Sequence, residues 1–184
     1  MVTLSKSQMD AAGEFANAAI AALKVPGGIH PATVIAASAR MAGTYLFRSF
    51  ELNLQGVKPG QIVLSVQAAE REGELIQVAL GSLARFGIKV ASAPQETLSN
   101  PQNKPVLAFL ETQRKVEQEY FPICRKFNLS AEQAAHSAAA ATALLIRHCA
   151  KALDPNVAFG LAAFGFVEGT KTAPDSLEHS YDPA

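Results

Sequence analysis

Tryptophan is absent from this chain, cysteine occurs twice, and charged residues make up only 17% of it. Sixteen Lys and Arg balance sixteen Asp and Glu, for a net charge of +0. Without excess positive charge there is no broad field to draw in nucleic acid or anionic lipid. No run of five basic residues exists, and no aromatic-rich basic segment could stack bases. Nucleic acid is therefore not an expected partner. Cys124 and Cys149 are too few for a disulfide framework, and a 184-residue core needs none. Reduced thiols and a cytoplasmic location are expected. The longest nearly apolar run, residues 134–146, is broken by His136 and is short of the roughly 20 residues a membrane-spanning helix needs. The stretch from Met1 to Lys6 has no apolar character of the kind a secretory signal carries.

What the chain does have is apolar bulk, 49% of its residues, and above all alanine, 34 in number. Alanine favours helix because it loses no side-chain entropy there. Small residues also let helix backbones approach closely, towards the short end of the 8–10 Å range of interaxial distances. A low charged share with this much apolar content implies that some apolar surface is covered by a partner. A homodimer is the expected form.

Periodicity and breakers divide the chain into about six helices. In residues 5–24, Met9, Ala12, Ala16, Ala19 and Leu23 keep to one helix face. Ser5 and Gln8 can form a capping box, and Pro26-Gly27-Gly28 ends the run. Residues 31–53 start with Pro31, which suits the first helical position, and carry a wide apolar face that predicts a near-central helix. A third helix is predicted over 67–86, with Gly87 as the left-handed residue after it and Ile88 as its hydrophobic contact. A fourth covers 105–121, with Glu111, Lys115 and Glu119 on its solvated face, Val106 among its buried residues, and Pro122 as a kink or stop. Ser130 and Gln133 form a second capping box, opening a helix over 131–153. A shorter aromatic helix at 156–167 is weakened by Gly160 and Gly165. Residues 92–104 read as a loop joining two halves.

The fold expected is a single all-α domain over residues 1–168, a multi-helix bundle, followed by a mobile tail at 169–184. The alternative is an α+β arrangement with a strand–helix–strand unit at 61–91, from the short apolar runs 61–66 and 88–91. Two strands alone make a poor sheet, and no third convincing strand exists.

An internal echo points to a central pair. Ala36, Ser38, Ala39, Ala42, Leu46 and Arg48 align with Ala135, Ser137, Ala138, Ala141, Leu145 and Arg147. This is either a pseudo-symmetric pair of inner helices or coincidence in an alanine-rich chain.

Reactive motifs are scarce. There is no Gly-x-Ser-x-Gly elbow, no P-loop and no dinucleotide fingerprint. Cys149, on an apolar helix, reads as a small hydrophobe. A di-metal carboxylate bundle needs Glu-x-x-His pairs, which the helices lack. Glu132 and His136, four apart at a helix start, read as a surface pair aided by the helix dipole, so neither metal nor cofactor is expected. That leaves arginines on apolar helices. Arg40 and Arg48 are eight apart and share a face. A partly buried guanidinium must find a carboxylate, a carbonyl or an anionic ligand. The plain expectation is a structural pair with Glu51, Glu70 or Glu74. The sharper one is a small anionic-ligand pocket, in a binding domain or enzyme, made by Arg40, Tyr45 and Arg48 with His30 and Arg147. The leading functional expectation is a self-associating interaction or regulatory module.

Overall fold

The computed structural model describes residues 2–91 and 100–175. Among the described residues six α-helices make up the architecture: α1 (Lys6–Leu23), α2 (Pro31–Arg48), α3 (Val66–Arg85), α4 (Phe109–Lys126), α5 (Ala131–Cys149) and α6 (Pro155–Lys171). The fold is all-α. Among the described residues the run 61–66 contributes only a single antiparallel bridge, Ile62 with Thr172, and 88–91 forms no strand. The predicted loop at 92–104 falls partly on 92–99, outside the described residues; Pro101–Asn103 is a 3₁₀ turn.

Local chemistry sets the helix ends. Ser5 and Ser130 cap α1 and α5 with complete boxes: each hydroxyl accepts from the backbone N–H three residues on, and Gln8 and Gln133 return the bond. Pro31 and Pro155 open α2 and α6, where a missing N–H costs nothing. After α3, Gly87 takes φ +73°. The Ile88 N–H then reaches the Leu83 carbonyl at 3.0 Å and the Gly87 N–H reaches Ala84 at 3.0 Å, the paired bonds of a Schellman end.

Several boundaries differ from the sequence reading. Helix α4 starts at Phe109 and runs through Pro122 to Lys126. Pro122 removes only the bond to the Gln118 carbonyl, and both residues face solvent, where water can take the carbonyl. Val106 precedes the helix and is exposed. Helix α6 continues to Lys171, and residues 172–174 are buried. Tail residues 169–175 are thus part of the packed fold; 176–184 lie outside the described residues.

Helix α2 is the centre. Every residue from 32 to 47 is buried, which a helix achieves only when enclosed on all sides. Its neighbours are α6, α5, α4 and α1, while α5 also packs on α1 and α3. The predicted central pair is in contact: the Thr142 hydroxyl donates to Ser38 Oγ at 2.9 Å, and Ser38 lies 3.5 Å from the Ala138 carbonyl. The closest packing, however, is between α2 and α6. A Cβ on Gly43 would lie 2.5 Å from the Phe166 carbonyl oxygen, and one on Gly169 would collide with the Arg40 carbonyl. Gly165, which by propensity weakens α6, faces Ala36 and Ala39 at the same interface. Here glycine serves backbone contact, not flexibility.

Candidate functional site

The arginines of α2 are cross-links between helices. Arg40 is 8% exposed. Its Nε donates to Glu168 of α6 at 2.6 Å, and its Nη1 to the Leu107 carbonyl at 2.7 Å and the Thr112 hydroxyl at 3.1 Å. Arg48 donates to Glu117 of α4, both side chains under 10% exposed. The partners are therefore Glu168 and Glu117, not Glu51, Glu70 or Glu74. Arg40 and Arg48 share the face of α2 turned to α4. Tyr45, on the same helix, sits in an aromatic cluster with Phe15 and Tyr120, at ring distances of 6.4 and 6.5 Å. His30 and Arg147 do not join them. His30 stands before α2, its Nδ1 2.7 Å from the Thr33 hydroxyl, and eighteen residues of helix put it about 27 Å along the axis from Arg48. Arg147 is exposed and lies over the Phe86 ring at 5.0 Å. The echo in sequence thus extends to the helix contact but not to a shared pair of arginines.

Burial shifts two core groups, Tyr120 and Cys149. Burial pushes the Tyr120 phenol well above its ordinary value, against a weak bond to Ser38 at 3.4 Å. Burial likewise pushes the Cys149 thiol up, which makes it a poor nucleophile. Both cysteines are buried and neither is in a disulfide.

A polar cluster that sequence reasoning did not assemble lies between α3 and α5. Glu132 and His136, one turn apart on α5, meet Glu74 of α3; their ligand atoms all fall within 4.8 Å of one another. His136 is not a surface residue: its side chain is 7% exposed, with Nε2 3.4 Å from Glu74 Oε2. Arg71 holds Glu74 by two bonds, Nε to Oε1 at 2.9 Å and Nη2 to Oε2 at 2.8 Å, and the same Nη2 reaches Glu132 Oε1 at 2.7 Å. Those bonds hold the Glu74 carboxyl below the usual carboxylate range, against the opposing effect of burial. They also raise the Arg71 guanidinium further above its ordinary value. The cluster borders an open cleft of about 500 Å³ lined also by Thr3, Gln8, Ser130 and Gln133. Its signal in the sequence was two local pairs, Arg71–Glu74 three apart and Glu132–His136 four apart. Nothing local says that they meet.

The third feature is apolar. Ile62, Leu64 and Val66 are 68, 82 and 69% exposed. Ile62 and Leu64 alternate along the lead-in to α3, and Val66 is the first residue of that helix; the lead-in is bonded on one edge to the end of α6: Val63 N–H to Lys171 O at 2.8 Å and Ala173 N–H to Gln61 O at 2.9 Å. By the alternation of an antiparallel pair, the N–H and C=O of Ile62 point away from that edge. By contrast, the aromatic residues of α6 are divided, with Phe159 half-buried. Phe166 is fully buried and only Phe164 stands out, at 68%.

Comparisons with protein-family models, with curated proteins and with solved structures returned no match. Among the described residues no helix is long and apolar enough to cross a membrane. The described residues form a helical protein with buried arginine–glutamate cross-links, a polar cleft between α3 and α5 and an open apolar edge before α3.

Proposed function

We propose that this protein is a self-associating interaction module, a homodimer that joins two copies through the segment 61–66. The observation that carries this reading is the pair Ile62 and Leu64 on an extended segment with an open backbone edge, with Val66 exposed beside them at the start of α3. The six residues of this segment contain no charged side chain, so two copies pair without like-charge repulsion. Open edges of this kind are usually blunted by charge or proline. An antiparallel match about Val63 sets Ile62 of one copy opposite Leu64 of the other and puts all four of these side chains on one face. Covering a large aliphatic side chain contributes about 1.5–3 kcal/mol. Four across a two-fold contact outweigh the lower part of the roughly 4–15 kcal/mol that association costs. The same reading takes the protein to be cytoplasmic, since two buried cysteines without a disulfide ask for no oxidising compartment.

Sedimentation equilibrium tests the reading. Wild type is expected to be dimeric at micromolar concentration, and Leu64→Lys, at an 82% exposed position, monomeric with unchanged helicity. A wild type that stays monomeric at high micromolar concentration overturns it, as does a dimer indifferent to Leu64→Lys.

A further inference from the structure

We infer that His136, Glu74 and Glu132 form a binding site for a divalent first-row metal ion, zinc above all, in which the Arg71 guanidinium is the internal competitor. The proposal is independent of self-association. Three donors from two helices already converge, one imidazole nitrogen and two carboxylates, with their ligand atoms within 4.8 Å of one another. Around zinc, bonds of about 2.0–2.2 Å put neighbouring donors roughly 3–3.6 Å apart. The His136–Glu74 distance of 3.4 Å is already in that range. Glu132 closes the set by a side-chain movement on the order of 1 Å, well within the rotamer freedom of an exposed residue at the start of α5.

The position of the cation is marked by the protein itself. Arg71 Nη2 sits 2.8 Å from Glu74 Oε2 and 2.7 Å from Glu132 Oε1. A single positive nitrogen thus bridges the two carboxylates beside the imidazole. Such a nitrogen is a stand-in for a metal ion, but it brings one charge where the carboxylates bring two. Arg71 can withdraw without losing all its contacts, because its guanidinium also lies 5.9 Å over the Phe50 ring. The neighbouring cleft supplies the water ligands that an ion with three protein donors requires. The donor chemistry selects the ion: one imidazole with two carboxylates suits zinc and its first-row neighbours better than magnesium or calcium, which prefer oxygen alone.

The test is titration of chelator-treated protein with zinc chloride by calorimetry, and with Co²⁺ by absorption. Wild type is expected to bind one zinc per chain. Arg71→Met removes the competitor and is expected to bind about tenfold more tightly, the size of effect that losing a partly exposed bridged pair gives. Glu132→Gln, at an exposed position, is expected to weaken binding at least tenfold, and His136→Gln to abolish it; circular dichroism of each variant reports whether it is folded. If His136→Gln does not fold, Glu132→Gln carries the test. Bound Co²⁺ should show d–d bands without thiolate charge transfer, which separates this site from one using Cys149. No saturable binding by wild type overturns the proposal, even if Arg71→Met binds, since the guanidinium is then the resident cation. Binding that persists unchanged in Glu132→Gln, or a thiolate band, places the metal elsewhere and overturns it too.

Discussion

Gly43, Gly165 and Gly169 are the residues on which the α2–α6 contact turns. Each is set where a side chain would strike backbone or a neighbouring Cβ, so the helices themselves would have to part. Gly169→Ala is expected to destabilise by about 1–3 kcal/mol or more, a fall in Tm on the order of 5–10 °C for a chain of this length. Gly73, on the exposed side of α3, is the opposite case, because a methyl group there would meet nothing within 4 Å. Gly73→Ala is expected to gain about 0.5–1 kcal/mol from helix propensity alone. Thermal unfolding of the two variants side by side checks both, and a neutral Gly169→Ala would mean that the interface is looser than described. A second residue-scale expectation concerns Arg48 and Glu117. Removing Arg48 alone leaves a buried carboxylate without its cation and should cost about 3–5 kcal/mol. Replacing both with apolar residues of similar volume should restore most of that loss, which a double-mutant cycle in urea would read.

Among elements, those written in local chemistry were legible and those written by partners were not. Both serine capping boxes, the Pro31 start and the Gly87 end follow from side chains within three or four positions, and each is present. The later start of α4 and the survival of Pro122 depend on which side faces solvent, a matter of tertiary placement. The segment 61–66 has strand composition but, among the described residues, pairs only with the end of α6, where it forms a single bridge. Glycine weakened the reading of α6 because its propensity counts against helix, whereas its lack of a side chain is what lets α6 seat on α2. Contact between α3 and α5 through Arg71, Glu74, Glu132 and His136 carries its own pH dependence. Glu74 has its folded pKa depressed, chiefly by Arg71. The unfolded chain therefore binds the proton more readily. This stabilisation is complete above the unfolded value, about 4.3, and is lost as pH falls through the folded one. Urea unfolding between pH 6 and 3 should show wild type losing stability more steeply than Glu74→Gln. Parallel slopes would sink that assignment.

For the whole molecule, the alanine count and the echoed segments foretold which helices lie inside: 36–48 and 135–147 do touch. Sequence could not choose the partners of the buried arginines, because Glu117 and Glu168 come from helices distant along the chain, and many acids were equally available. The cleft was hidden for the same reason. Self-association adds a prediction at this scale. A dimer stabilised by mass action gains Tm with protein concentration; wild type should show that rise between 1 and 100 μM, roughly tracking occupancy, and Leu64→Lys should not. The seating of α6 on α2 has a further consequence, in time. Arg40 and Glu168, at this contact, are 128 residues apart. A ribosome adding about 5–20 residues per second needs on the order of ten seconds to deliver the second after the first. For that interval the nascent chain holds a helix whose α6 side has nothing to cover it, so its early packing is provisional and the core closes only after the last helix has been made.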